Sequence, residues 1–353
     1  MNNRKTRVGF VGVGRMGQCA HLRNYATLGE CEVVAIADLR EKTAHQVAGR
    51  YGIPNVYRTH TELLEHKELD AIVASQPFER HGILLPELLA AGVPVFSEKP
   101  LAASVEVGER ILAAEQQSDG WLMVGYNKRS DPATMYAKAE IDRLKQTGEL
   151  GALTYVRICM PAGEWTAGGF FDLIDAGDPP PELETDPPAS DMDSETYAAY
   201  GKFVNYYIHQ VNLLRHLLGE LYEVTYADPT GVLLVGRSKS GLPCTIEMTP
   251  YRTTVDWQES ARVCFQSGTV RLDLPAPMVV NRAGRVEVLR DPGEGVTPEV
   301  TLPHLPPVHS MRQQASNFLA AVRGERPPMT TAAEALEDLK VAREYLRLSK
   351  QTP

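Results

Sequence analysis

The chain has 353 residues, 43% of them hydrophobic and 23% charged, the balance of a globular protein with room for two cores. No apolar run approaches the roughly 20 residues of a membrane helix, and a net charge of −9 excludes a basic field for nucleic acid or anionic lipid. Five scattered cysteines with no C-x-x-C pair argue against a disulfide framework or a zinc site, and for a reducing, cytoplasmic compartment; no metal is expected.

The first residues, "MNNRKTRVGFVGVG", run straight into a strand and lack the apolar region and cleavage site of a signal peptide. "RVGFVGV" reads as a strand and "GQCAHLRNYATL" as a helix. Next come strand "EVVAIAD", helix "REKTAHQVAGRYG", short helix "TELLEH", strand "LDAIVAS", helix "ERHGILLPELLAAG" and strand "VPVFSE". Helix "SVEVGERILAAEQQS" and strand "WLMVGY" close the series. Apolar strands separated by helices predict a doubly wound parallel sheet covered on both faces.

After Lys128 the character changes. "ATMYAKAEIDRLKQTGELG" reads as a helix with a glycine end. The runs "LTYVRICM", "YEVTYAD", "GVLLVGRS", "CTIEMT", "ARVCFQ", "TVRLDL" and "RVEVLR" fit a largely antiparallel open sheet. Two helices, "SMRQQASNFLAAVRG" and "TAAEALEDLKVAREYLRLSKQ", end the chain. The expected organisation is an α/β protein: a Rossmann domain over 1–126, then an α+β domain over 127–353 for substrate binding and oligomerisation. Between Arg157 and Lys202 there is no Lys or Arg but ten Asp and Glu, so this segment carries −10 and the remainder +1. Residues 161–200 also hold six prolines, and read as a solvated loop, long enough to be functional or mobile. Within it, Trp165, Phe170 and Phe171 suit either a cap over a sugar ring or a subunit interface.

Gly12, Gly14 and Gly17 have the G-x-G-x-x-G spacing between a strand and a helix, which fits a dinucleotide site. The first permits a tight turn, the second admits pyrophosphate to the backbone, and the third lets helix and strand pack closely. Asp38, 21 residues after Gly17, closes the next strand, where a carboxylate takes ribose hydroxyls and repels a 2′-phosphate. NAD is therefore expected in preference to NADP, although Arg40 could stack on adenine or meet a 2′-phosphate. Asn205, His209, Asn212 and His216, spaced 4, 3 and 4, share one face of a helix expected over 205–218.

At "SEKPLA" a second marker is reached. The motifs "GVGRMG", "IAD", "PFERHGILLPELLAAGVPVFSEKPLA" and "GYNKRSDP" resemble the Gfo/Idh/MocA oxidoreductases. So do "NYYIHQVNLLRHLLGE", similar to the family's D-x-x-x-H-x-x-D helix, and the C-terminal "NFLAAVRGERPPMTTAAEALEDLKVAREY". The resemblance spans nearly the whole chain except 161–200.

It implies that Lys99, after a strand and before a Lys–Pro bond that is cis in the family, faces the reacting sugar carbon. Partial desolvation near cofactor charge would lower its pKa and suit it to proton exchange. It further implies cofactor contacts from Gly12, Gly14, Arg15, Met16, Gly17, Asp38, Arg40, Ser75, Gln76, His81, Glu98, Lys99 and Asn127. Lys128, Asn205, His209 and Asn212 would meet substrate, with Lys99, His209 and Asn205 as the catalytic set. His216 has no such support and reads as structural. Both family carboxylates are asparagine here, at Asn205 and Asn212, which weakens a proton relay centred on His209 and moves weight onto Lys99.

The implied function is an NAD-dependent dehydrogenase or reductase of a sugar or cyclitol, forming a homodimer or homotetramer. A redox-assisted glycoside hydrolase or lyase with retained NAD is the alternative. A non-catalytic dinucleotide sensor is disfavoured by Lys99 and His209.

Overall fold

The computed structural model describes residues 4–179, 181–293 and 295–351. Strands β1 (Thr6–Val11), β2 (Cys31–Ala37), β3 (Asn55–Tyr57), β4 (Ala71–Ala74), β5 (Val95–Glu98) and β6 (Leu122–Gly125) open the chain. They alternate with helices α1 (Arg23–Tyr25), α2 (Glu41–Tyr51), α3 (His60–Leu64), α4 (His81–Leu89) and α5 (Val105–Gln116). A π-helical turn, Gly17–Leu22, leads into α1. The strands form one parallel sheet in the order β3-β2-β1-β4-β5-β6. β4, β5 and β6 bury every residue, because strands apolar on both faces need helices on both sides. Phe10, Tyr25, Ile36, Val73, Phe96 and Phe318 lie in the core of this layer.

The chain continues through α6 (Asn127–Ser130), α7 (Pro132–Thr147), β7 (Leu153–Ala162), α8 (Ser194–Tyr206) and α9 (Ile208–Leu218). Then follow β8 (Tyr222–Ala227), β9 (Leu233–Ser238), β10 (Pro243–Arg252), β11 (Glu259–Phe265), β12 (Gly268–Leu274), β13 (Arg285–Arg290) and β14 (Glu299–Thr301). Helices α10 (Ser310–Val322) and α11 (Ala332–Ser349) end it. The second sheet runs β14-β13-β12-β11-β7-β10-β9-β8, antiparallel except where β7 meets β10. Its strands alternate buried and more exposed residues, as in β11, and α7 and α9 pack on it. Asp131 caps α7 through the Ala133 amide at 2.9 Å, and Gly148 in the left-handed region ends it.

The chain divides into two compact units. One is Met1–Tyr126, Gly168–Tyr197 and Gln314–Leu339; the other is Asn127–Ala167, Ala198–Gln313 and Lys340–Pro353. Two segments assigned from sequence to the second domain thus pack with the first. The stretch 161–200 is also no simple solvated loop. β7 runs into its start, α8 begins at Ser194, and Gly168–Tyr197 forms a strap on the nucleotide unit.

Carboxylates fasten that strap to helix starts. Asp186, its side chain 1% exposed, accepts from the Gly82 amide at 2.8 Å in the first turn of α4 and from Arg110 at 3.1 Å. Gln18 holds Ile174 through two hydrogen bonds, of 2.9 and 3.0 Å. Arg15 lies over the Phe170 ring at 4.6 Å and Arg23 over Phe171 at 5.5 Å. The strap aromatics therefore carry arginines of the same unit. Because Asp186 fills the role of a helix cap, Asp186→Ala should cost about 1–2 kcal/mol. The check is a lower urea midpoint at unchanged slope, together with faster proteolysis between residues 168 and 197.

Candidate active site

In the nucleotide unit, β1 ends at Val11 and the chain turns at Gly12, whose φ of +93° suits glycine. A Cβ there would collide with the Ser75 carbonyl and the Gln76 amide, and one on Gly17 would collide with the Gly12 carbonyl. These two glycines are therefore required by the protein's own packing. Gly14 is different: a Cβ on it would find only Arg40 Nη2, at 3.8 Å. Open space at the middle glycine is what close approach of pyrophosphate needs. The helical turn after it, preceded by Met16, has no side-chain cap, so no side chain competes with phosphate oxygens at its start. The residues present fit a dinucleotide.

Asp38, beyond β2, accepts from the Val13 amide at 2.9 Å and the Arg40 amide at 2.8 Å. It also takes Arg40 Nε at 3.2 Å and Nη2 at 3.0 Å. Four donors are the full complement of a carboxylate. The Arg40 side chain thus takes two of the acceptor positions on Asp38.

Glu98 and Lys99 end β5 at the carboxyl edge of the sheet, and the Lys99–Pro100 bond is cis. Glu98 is 9% exposed and its two oxygens divide their work. Oε1 meets His21 Nε2 at 2.5 Å and Oε2 accepts the Lys99 amide at 3.1 Å. Burial alone would push the Glu98 carboxyl up, but the His21 hydrogen bond and charge, with Lys99, hold it below the usual range. It is then an acceptor only, so His21 Nε2 carries the proton. Burial pushes the Lys99 ammonium below its ordinary value, opposed by the Glu98 charge. His81 is fully buried and donates to the Leu101 carbonyl at 3.1 Å; burial keeps its pKa low, so it holds the loop after Pro100 as a neutral ring.

The second unit contributes a buried polar cluster around Glu259. Lys128 Nζ reaches Glu259 Oε2 at 2.5 Å and lies 5.0 Å from the Trp257 ring centroid. Gln210 donates to Oε1 at 2.7 Å and Trp257 Nε1 to Oε2 at 3.0 Å. Arg129 Nε donates to Asn212 Oδ1 at 2.7 Å, and Asn127 donates to Ser310 Oγ at 2.9 Å. Asn127, Lys128 and Asn212 are all buried. His209 is half-buried on α9.

The expected helix 205–218 is two helices here. α8 ends at Tyr206 and α9 begins at Ile208, with Tyr207 between them at ψ −5°. Asn205 lies exposed on α8, whereas His209, Asn212 and His216 keep helical spacing on α9, with Asn212 buried. Burial, and then Arg129, Lys138 and Arg215, push His216 well below the usual histidine range and keep it neutral. Sequence spacing missed His21, Arg129, Gln210, Trp257 and Glu259. Their one signal was polar character inside runs that otherwise read as buried. Among the described residues, no group of three or more His, Cys, Asp or Glu could hold a metal ion.

Residues 6–126 match the family model described as an oxidoreductase family with an NAD-binding Rossmann fold. This part of the chain is similar to the Gfo/Idh/MocA oxidoreductases. A myo-inositol 2-dehydrogenase of Thermotoga maritima is 25% identical over 222 residues, 63% of this chain and 58% of that protein. A scyllo-inositol 2-dehydrogenase (NAD(+)) of Bacillus subtilis is 28% identical over 231 residues, 65% of this chain and 58% of that one. The chain thus spans less than two-thirds of the length of these curated relatives. A structure of levoglucosan dehydrogenase in complex with NADH superposes with a TM-score of 0.75 at 16% identity, covering 99% of this chain and 98% of that one. The likeness to that structure is one of fold, and it covers the strands and helices of each unit.

A buried ion pair reads differently when one partner is lost than when both are. Lys128→Met should cost about 3–5 kcal/mol by leaving Glu259 buried without its cation. Adding Glu259→Gln should recover a large part of that. A double-mutant cycle in urea checks both, and additive losses would dismiss the pairing.

Proposed function

We propose that the protein is an NAD-dependent dehydrogenase of a polyhydroxylated ring, a sugar or cyclitol, with Lys99 as the group that exchanges the substrate proton. The observation that carries this reading is Lys99 itself: its ammonium is destabilised by burial at the carboxyl edge of a sheet whose first turn is built for NAD. The inositol dehydrogenases among its relatives support the substrate class, and their names do not favour the cleavage alternative.

Gly12, Gly14 and Gly17 with Met16 would hold the pyrophosphate, Asp38 the ribose, and Ser75 and Gln76 the wall beside them. Bound NAD supplies the hydride acceptor. Lys99 Nζ, neutral, takes the proton of the hydroxyl being oxidised and returns it in the reverse direction. Glu98 compensates the charge that Lys99 then carries, and His21 keeps that carboxylate ionised and turned toward Lys99. His209 acts as a donor that orients a substrate hydroxyl. We further take the chain to be cytoplasmic, in keeping with five free thiols, and to self-associate as a homodimer or homotetramer. Exposed Tyr226, Tyr251 and Val300 on the second sheet support that assembly.

A screen of sugars and cyclitols with NAD, following reduced nicotinamide by absorbance, tests the activity; no turnover across the set would overturn it. On the substrate found, Lys99→Met should lower kcat by about 10²–10⁴ and leave NAD affinity within about threefold. Arginine should not rescue it, because a guanidinium keeps its proton. Oxidation requires neutral Lys99, so kcat/KM should rise with pH along a limb centred below 10.5, the ordinary lysine value. That limb should vanish in the Met variant. An unchanged limb would assign it to another group.

A further inference from the structure

In a doubly wound fold, the N-terminus of the helix after β2 is where a 2′-phosphate on the adenosine ribose would find free amides. In this protein another anion already sits on those amides. Asp178, from the strap, accepts the Lys42 amide at 2.8 Å through Oδ2. Its Oδ1 takes the Thr43 amide at 3.0 Å and the Thr43 hydroxyl at 2.8 Å. Lys42 and Thr43 are the second and third residues of α2, the donors that a capping side chain ordinarily serves. Arg40, at the cap position, offers no acceptor of its own.

The strap holds this carboxylate in place. Thr43 Oγ1 accepts the Ala176 amide at 3.2 Å, and Asp175 accepts the Gly177 amide at 2.9 Å. Desolvation works against the charge of Asp178, yet the hydrogen bonds from Thr43 and the two α2 amides hold its carboxyl below the usual range. Arg40, which could have recruited a phosphate, gives two side-chain donors to Asp38 and feels the charges of Asp175 and Asp178 as well.

We propose that Asp178 is a second cofactor-specificity residue: it occupies the anion position at the start of α2 and excludes the 2′-phosphate of NADP. The two residues divide the work. Asp38 selects for the ribose hydroxyls of NAD, whereas Asp178 contributes nothing to NAD and acts only against the phosphate. The segment that supplies it, 161–200, lies outside the stretches whose motifs resemble the family.

The test is calorimetric titration of NAD and NADP into the full chain, unmodified and as Asp178→Asn and Asp178→Ser. Both replacements keep a side chain able to cap a helix and remove the charge. A like charge at about 5 Å near a surface changes affinity roughly 10- to 100-fold, so NADP should bind tighter by that factor while NAD stays within about twofold. The unmodified protein's preference for NAD should also narrow as salt is raised. Asp38→Ala should move the other quantity, weakening NAD. NADP affinity unchanged in both Asp178 variants would overturn the proposal. So would NAD affinity falling in step with thermal stability, since Asp178 would then be a strut for the nucleotide unit and no selector.

Discussion

Backbone amides at a helix start need acceptors, and in the nucleotide unit the source of those acceptors decides where a ligand can bind. Helix α3 is closed by a capping box between Thr59 and Glu62, and α5 by Ser104. Helix α2 takes Asp178 and α4 takes Asp186, both from a strap more than 100 residues further along the chain. Among the described residues, the helical turn after Gly14 has no side-chain acceptor. In the proposed reading pyrophosphate binds at this start, beside the glycine whose added Cβ would meet little. The acidity of the strap, a net-charge feature in the sequence, is a set of caps in the structure.

Buried charge follows the same logic of paired demand. Glu98 tolerates burial because His21 and the Lys99 amide take its oxygens, and that arrangement leaves an ionised group behind a lysine whose charge burial disfavours. The π-helical turn Gly17–Leu22 matters here. It carries His21, and a wider turn changes the side-chain phase relative to an α-helix starting at the same glycine. In the second unit, Gln210 and Trp257 donate to Glu259 and Lys128 pairs its charge with it, which ties α6, α9 and the start of β11 into one cluster. An element as short as α6 owes its place to these contacts more than to helix propensity.

The architecture was legible because it rests on periodicity and on local motifs. Apolar strands between helices announced the parallel sheet, and alternating strands after residue 150 announced the second one. The strands that escaped notice, β3 and β14, have three residues each, too few for any period to show. What spacing could not show is contact across long separations. His21 meets Glu98 over 77 residues and Asp178 meets Thr43 over 135. Nor can spacing register a break such as Tyr207, since a run of helix-forming residues looks the same whether or not one ψ angle opens within it.

The asparagines of the second unit show how far residue identity alone carries a reading of mechanism. From sequence, Asn205 and Asn212 stand in for two carboxylates beside His209. In the structure their situations differ: Asn205 is exposed at the end of α8, whereas Asn212 is buried and accepts from Arg129 Nε. A carboxylate at 212 would form an ion pair with Arg129, and its charge would be spent there. The amide keeps the hydrogen bond and adds no charge near α9, where Arg129 and Arg215 already help keep His216 neutral. In the proposed reaction, proton exchange rests on Lys99, whose neutral form burial favours.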